Sequence, residues 1–467
     1  MSDTMLTQST AQKPPLVGRM VLAVVLAAVA GLMFGLDIGV ISGALGFITD
    51  EFHASETAQS WIVSSMMLGA AVGALCAGRT SSALGRRKSL TLSAFLFVLG
   101  ALACTFAQSV ALLIIGRAVL GLAIGIASYV APLYISEIAD EQRRGSLIAM
   151  YQLMITLGIL LAFISDALFS YIHAWRWMFG VVAIPGAFFL IGSFFLPDSP
   201  RWLMLQGRHR EAESTLAVLR SSPEHAHAEI NDIRAQLTQT QRGLSLFLEN
   251  PNFRRSVALG MGLQLVQQFT GMNVVLYYGP RIFGSAGFGQ DGQMWGTAIV
   301  GLVNFLATFI AIGFVDRWGR RPMLVTGFAI MAAGLGALAV LLNAGPTSSD
   351  MLHYLSVAVL LCFITGFAFS AGPLVWTLCA EIQPLQGRDF GITCSTLTNW
   401  ITNMIVGVTF LPMLSAFGSS KTFWIYAGLN ALFILFTLFF VPETKGVTLE
   451  SIERKLNTGA KLREIGR

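Results

Sequence analysis

Two charged residues stand inside long apolar stretches of this 467-residue chain: Asp37 in Gly35-Leu36-Asp37-Ile38-Gly39, and Arg117 in Ile115-Gly116-Arg117-Ala118-Val119. A charge at the centre of a membrane-crossing helix costs about 2.5–3.5 kcal/mol on insertion scales, so it is retained for a function and usually has a partner. Asp37 lies eighteen residues past Arg19, about 27 Å along a straight helix. Arg117 lies towards the outer end of its own apolar run. Both therefore fall in the outer half of a bilayer, where they can meet. Arginine keeps its charge, so Asp37 is the member that titrates. Burial raises a carboxyl pKa and an adjacent guanidinium lowers it, so a change in their separation changes affinity for a proton. The expectation is that Asp37 carries a proton and Arg117 is its counter-charge. The competing reading is a permanent structural ion pair.

A second set consists of uncharged amides in apolar surroundings: Gln152, Gln267, Gln268, Asn273, Asn304, Asn399 and Asn403. Planar amides donate and accept hydrogen bonds together, and an aromatic face such as that of Trp376 covers C–H surface. That combination suits a ligand with many hydroxyls, a monosaccharide above all. Asn399 and Asn403 are four apart and share a helix face. Trp376 follows Gly372-Pro373, where a local break would tilt its helix. Taken singly, each amide also fits a bond between neighbouring helices. Phe34, one turn before Asp37, packs against such a ligand or against lipid. Tyr277 and Tyr278 lie near the outer end of their helix, where an interfacial aromatic belt is one reading.

These residues need long membrane helices to hold them, and the composition supplies them. Hydrophobic residues make up 54% of the chain and charged residues 12%, against about 25% charged in a soluble domain. Twelve segments are apolar over roughly the 20 residues a crossing needs: 20–48, 60–82, 89–107, 110–134, 147–171, 176–196, 255–279, 294–314, 322–343, 352–380, 391–415 and 421–441. The domain plan is a cytoplasmic tail 1–19, a six-helix bundle 20–196, a charged helical linker 197–254, a second six-helix bundle 255–441 and a tail 442–467. With both termini inside, only Arg176, Arg281 and Lys421 of the thirty Lys and Arg lie outside, and Arg117 within a span. The net charge of +5 is thus the positive-inside bias of a membrane protein rather than a nucleic-acid footprint. The five cysteines lie in apolar segments without paired spacing and read as small buried hydrophobes. The first apolar run is too long for a signal peptide.

The two bundles repeat one another. Leu84-Gly85-Arg86-Arg87 returns as Trp318-Gly319-Arg320-Arg321, Ser136-Glu137-Ile138 with Arg144 as Ala380-Glu381-Ile382 with Arg388, and Pro197-Asp198-Ser199 as Pro442-Glu443-Thr444, at offsets of 234 to 245 residues. Carriers commonly use such repeats and bind substrate between them near the bilayer midplane. The Gly-Arg-Arg loops, Pro197-Asp198-Ser199-Pro200-Arg201, Pro442-Glu443-Thr444-Lys445-Gly446, Tyr151-Gln152-Leu153 and Gln267-Gln268-Phe269-Thr270-Gly271-Met272-Asn273 resemble the sugar-porter branch of the major facilitator superfamily. The match runs from about residue 20 to the C-terminus, and within the branch it is nearest to the bacterial proton-coupled galactose and arabinose carriers.

The resemblance implies an all-α membrane protein with two pseudo-symmetric six-helix bundles and a cytoplasmic helical linker. It implies alternating access, with a hexose (D-galactose, and D-glucose with it) imported with a proton across a bacterial inner membrane. It carries sugar binding onto Gln152, Gln267, Gln268, Asn273, Asn304, Trp376 and Asn399, with Asn403 at a more variable position. It makes Tyr277 and Tyr278 an outer gate closing over sugar. Proton-coupled members have Asp where Asp37 stands, and passive ones tend to have Asn. Asn304 and Gly372-Pro373 look more like the galactose carriers than the arabinose carriers. No cofactor or metal is implied, since the proton gradient drives transport, and a monomer is expected to suffice.

Arg86, Arg87, Arg144, Arg320, Arg321 and Arg388 face the cytoplasm beside Glu137, Glu381, Asp198 and Glu443. Singly, such pairs are worth about 0–1 kcal/mol. Assembled in one conformation only, they would shift a two-state equilibrium by their sum, and the expectation is that they lock the outward-facing state. Asp198 departs from the Glu usual in the family and is one methylene shorter. No cluster of nucleophile, base and orienting group suggests an enzyme. Gly121–Gly125 is no phosphate loop, lacking a preceding strand and a following Gly-Lys-Ser/Thr; in an apolar helix its glycines suit close packing. A sugar sensor would carry a long signalling tail, and a channel would have no use for a buried Asp–Arg pair. A passive uniporter is the nearest alternative, and Asp37 opposes it.

Overall fold

A computed structural model describes residues 18–139, 144–220, 243–343, 350–447 and 449–466, with isolated positions between 224 and 234. Among the described residues every regular element is a helix. The first six spans are α1 (Gly18–Phe52), α2 (Glu56–Leu84), α3 (Arg86–Thr105), α4 (Val110–Ile138), α5 (Arg144–Ser170) and α6 (Trp175–Ser193). Ser55 and Ser109 cap α2 and α4, each accepting a backbone N–H of the first turn. The linker holds α7 (Pro200–Leu205), α8 (His209–Leu219) and α9 (Gly243–Glu249). It is fastened to the first bundle by the Trp202 indole, which donates to the Ser82 carbonyl at 2.8 Å, and by Arg220, which donates to the Ile138 carbonyl at 2.8 Å.

The second bundle is less regular. Its first span is divided into α10 (Pro251–Phe269) and α11 (Met272–Ser285). The joint is Thr270-Gly271, and Gly271 takes φ +89°, a left-handed conformation that a side chain would strain. Asn430 pins this joint, donating to the Thr270 carbonyl at 2.9 Å. Then come α12 (Gln290–Trp318) and α13 (Arg320–Asn343). The tenth span is divided into α14 (Asp350–Phe369) and α15 (Ala371–Glu381). The break is at Ser370 (φ −120°, ψ −90°), just before the Gly372-Pro373 where a break was expected. The last two spans run on as α16 (Arg388–Phe440), turned between them at Gly418 (φ +78°). A short helix, α17 (Leu449–Asn457), follows. Among the described residues ten spans are long and apolar enough to cross a bilayer, one of them α14 and α15 together. The broken seventh span and the doubled last helix bring the crossings to twelve.

Glycines let helices approach closely where the sequence places them. A Cβ at Gly121 would overlap the Met66 carbonyl of α2, and one at Gly125 the Ala70 carbonyl. Large apolar side chains such as Leu75, Phe95, Phe188, Leu306 and Phe439 are exposed, forming the surface that lipid covers. The cysteines depart from the expectation of uniform burial: Cys104 and Cys379 are buried, whereas Cys76 and Cys362 are exposed. An apolar segment in a bilayer has two apolar environments, and periodicity alone does not separate protein-facing from lipid-facing positions. The end bearing Arg86, Arg320 and both described termini is the one that the positive-inside bias assigns to the inner side.

Candidate functional site

Asp37 projects from the middle of α1 and Arg117 from α4. They form an ion pair, Nη1 to Oδ1 at 2.9 Å, with both side chains fully buried. Arg117 also donates Nε–H to the Ile62 carbonyl of α2 at 3.1 Å, so one guanidinium ties three helices. The pair is not saturated: Asp37 Oδ2 and Arg117 Nη2 have no hydrogen-bond partner. A bidentate pair would hold both oxygens. A single contact leaves the carboxylate a free oxygen where a proton can bind.

The amides of the second bundle assemble around the two broken spans. Gln267 donates from Nε2 to the carbonyls of Ala371 (2.8 Å) and Gly372 (3.0 Å), the first turn of α15. Its Oε1 accepts from Asn399 Nδ2 at 3.0 Å and from Gln268 Nε2 at 3.4 Å. Asn399 also donates to Gln264 Oε1 at 2.7 Å. Gln268 in turn accepts from Asn273 across the α10–α11 joint. Gln267, Gln268, Asn273 and Asn399 are thus one connected network. Asn403 lies outside it and exchanges hydrogen bonds with the Tyr277 hydroxyl at 3.1 and 3.3 Å. Among the described residues no hydrogen bond joins Gln152, Asn304 or Trp376 to the network. Gln152 is half-buried on α5, Asn304 is buried on α12, and Trp376 is exposed on α15. Phe34 packs its ring on Trp400 of α16, with centroids 5.3 Å apart, so its neighbour is the opposite bundle.

Tyr277 and Tyr278 are buried inside the protein rather than set against lipid. The Tyr278 hydroxyl donates to the Gly407 carbonyl at 3.1 Å, and its ring stacks on Phe410. Around them the outer ends of the bundles are tied together. Arg281 of α11 bonds Gln59 of α2. Ser415 of α16 donates to Glu56 at 2.8 Å, and the Trp295 indole of α12 donates to the Tyr171 hydroxyl of α5 at 3.0 Å. The outer side is therefore closed in this structure.

On the inner side the Arg86–Glu137 and Arg320–Glu381 pairs each lie within one bundle. Arg86 holds Glu137 with two bonds, at 2.7 and 2.8 Å, and Ser199 caps the same carboxylate at 2.6 Å. Arg320 pairs with Glu381 at 3.0 Å, Thr444 donates to Glu381 at 2.5 Å, and Glu443 accepts the backbone N–H groups of Arg320 and Arg321. Arg87 and Arg321 donate to the carbonyls of Phe194 and Leu438. Asp198 joins no ion pair among the described residues. Arg388 opens α16, and the side chain of Arg144 lies outside the described residues.

A family model for sugar (and other) transporters matches residues 23–456. The chain belongs to the sugar transporter family. The galactose-proton symporter of Escherichia coli K12 is 61% identical over 442 residues, covering 94% of this chain and 95% of that protein. The arabinose-proton symporter of the same organism is 56% identical over 446 residues, covering 95% and 94%. Among solved structures, the Escherichia coli xylose transporter in a partially occluded inward-open conformation superposes with a TM-score of 0.80 at 29% identity, covering 92% of this chain and 99% of that one. Twelve helices in two bundles are thus the major facilitator arrangement, and this member of the sugar transporter family is a multi-pass membrane carrier rather than an enzyme.

Four residues of the site were not singled out from sequence. Gln264 completes the amide network, and its place one turn before Gln267 and Gln268 on the same helix face was a usable signal. Arg281 and Gln59 close the outer side. Their partnership spans 222 residues, and local pattern carries no sign of it. Asp166 is a buried carboxyl on α5 that belongs to neither the ion pair nor the amide network.

Proposed function

We propose that the protein is a monosaccharide–proton symporter of the bacterial inner membrane, importing D-galactose, and D-glucose with it, by alternating access. The observation that carries this is the buried, half-satisfied Asp37–Arg117 pair. A merely structural pair would gain from complete hydrogen bonding, whereas a proton carrier needs an oxygen left over. The names of the two symporter relatives support the sugar and the coupling ion. The sugar is held by Gln152, Gln267, Gln268, Asn273, Asn304, Trp376 and Asn399, and the network of Gln267 and Asn399 shapes the binding face. Tyr277 and Tyr278 close over it. The Arg86–Glu137 and Arg320–Glu381 clusters occupy equivalent places in the two bundles and dock against each other when the inner side closes. Both termini are cytoplasmic, a monomer suffices, and the proton gradient replaces any cofactor.

The test is external pH in weakly buffered, de-energised cells after addition of sugar. Alkalinisation on adding galactose is expected. Alkalinisation with arabinose alone would keep the mechanism and replace the substrate. Equilibration of labelled galactose without a pH change would make the protein a uniporter.

A further inference from the structure

Asp166 is 2% exposed on α5, four residues from its outer end. Its Oδ2 accepts a hydrogen bond from the Gly43 backbone N–H of α1 at 3.1 Å, and its Oδ1 is buried with no partner. No cation pairs with it among the described residues. The helices packed on α5 are α1, α4, α6 and α12. Their charged groups are engaged or distant: on α1, Asp37 and Glu51 are paired with Arg117 and Arg176, and Asp50 lies at the outer end. On α4, Arg117 is taken by Asp37 and Glu137 by Arg86; on α6, Arg176 is taken by Glu51; on α12, Asp291 stands in the first turn and Arg317 at the far end. A structural hydrogen bond to one backbone amide needs only a neutral acceptor, and an unpaired carboxylate is a costly way to provide it inside a bilayer.

Its position supplies the reason for a carboxyl. A cavity of about 340 Å³ lies on the outer side between α1, α11 and α12, lined among others by Ser42, Gly43, Asp50, His173, Tyr277 and Arg281. Gly43 is the partition between this cavity and Asp166, and it has no side chain. A Cβ there would overlap the Asp166 carboxyl. Ser42, beside it, has a buried hydroxyl without a partner. It stands five residues along α1 from Asp37, about 7.5 Å of helix rise and about 140° around the helix, so the two side chains leave α1 on different faces.

We propose that Asp166 is a second proton-binding carboxyl, which exchanges with the outer cavity across Gly43 and feeds protons inward to Asp37. The proton leaves cavity water for Asp166 and leaves Asp166 for Asp37, so Asp166 ends each cycle as it began. The inference rests on the symport reading. Asp166→Asn keeps an oxygen for the Gly43 N–H and cannot take up a proton; Asp166→Ser is a second neutral replacement. Proton-driven galactose uptake and galactose exchange at equal internal and external sugar are measured from external pH 6 to 8.

In both variants, exchange persists while driven uptake falls in proportion to external proton concentration, most severely at the alkaline end where direct capture by Asp37 is slowest. Asp166→Glu restores uptake at the alkaline end. Equal loss of uptake and exchange in both neutral variants, or driven uptake with the pH dependence of the unaltered protein, overturns the proposal. Failure of the symport reading looks different: the unaltered protein itself gives no sugar-dependent alkalinisation.

Discussion

The Asp37 carboxyl spends one oxygen on Arg117 and keeps one free. Asp37→Asn preserves the shape and leaves a carbonyl oxygen for Arg117, but the group no longer binds a proton. The helices α1, α2 and α4 stay tied, because Arg117 also holds the Ile62 carbonyl. The expected outcome is a carrier that exchanges labelled galactose across the membrane yet does not concentrate it. Concentrative uptake by this variant would remove Asp37 from the coupling mechanism. Arg117 is the harsher site. Neutralising it abandons a fully buried carboxylate, and breaking a buried pair in this way costs about 3–5 kcal/mol. Asp37 and Arg117 were legible in the sequence because hydrocarbon makes a charge in an apolar run expensive. Asp166 escaped notice for a related reason: it lies one turn from the end of its span, where an acidic residue is ordinarily in water or headgroups. Only the packing of α5 on Gly43 shows it to be buried.

At the scale of helices, the breaks organise the sugar site. Gln267 joins the end of α10 to the first turn of α15 and, through Asn399, to α16. Removing its amide takes one hydrogen bond each from the Ala371 and Gly372 carbonyls, which still accept within α15, and one from Asn399, at about 0.5–1.5 kcal/mol for each bond lost. Gln267→Ala is therefore expected to lower the melting temperature in detergent. It should also raise the half-saturation of galactose exchange by about tenfold or more, tenfold being 1.4 kcal/mol. Unchanged half-saturation with lowered melting would confine Gln267 to holding helices together. The twelve crossings were readable from apolar length, and the amides from their chemical type. The joint at Thr270-Gly271 was hidden inside a continuous apolar run. It depends on Asn430, 160 residues away, to satisfy the Thr270 carbonyl. The Ser370 break was visible as Gly372-Pro373, because Pro373 has no N–H for the Phe369 carbonyl four residues back and α14 ends at that residue.

For the whole molecule, the distribution of ties decides which side is shut. Contacts between the bundles at the outer end join Arg281 to Gln59, Ser415 to Glu56 and Trp295 to Tyr171, while the Arg86–Glu137 and Arg320–Glu381 pairs each brace one bundle. A contact made in only one of two states shifts the equilibrium by its own free energy. The Arg281–Gln59 bond has a charged donor and is worth about 1.5–3 kcal/mol, so its loss should favour the outward-open state by about tenfold or more. Ser42 is a suitable reporter, being 4% exposed in the closed form and part of the outer cavity. In a background with the five native cysteines replaced, the Ser42→Cys thiol is treated from outside with a membrane-impermeant maleimide. Adding Gln59→Ala should speed labelling by about that factor, since modification follows the outward-open population. Arg281→Ala should do the same, and combining the two should add little, because either change removes the one shared bond. Labelling at the original rate in both variants would mean that the outer bond forms as a consequence of closure and does not hold it.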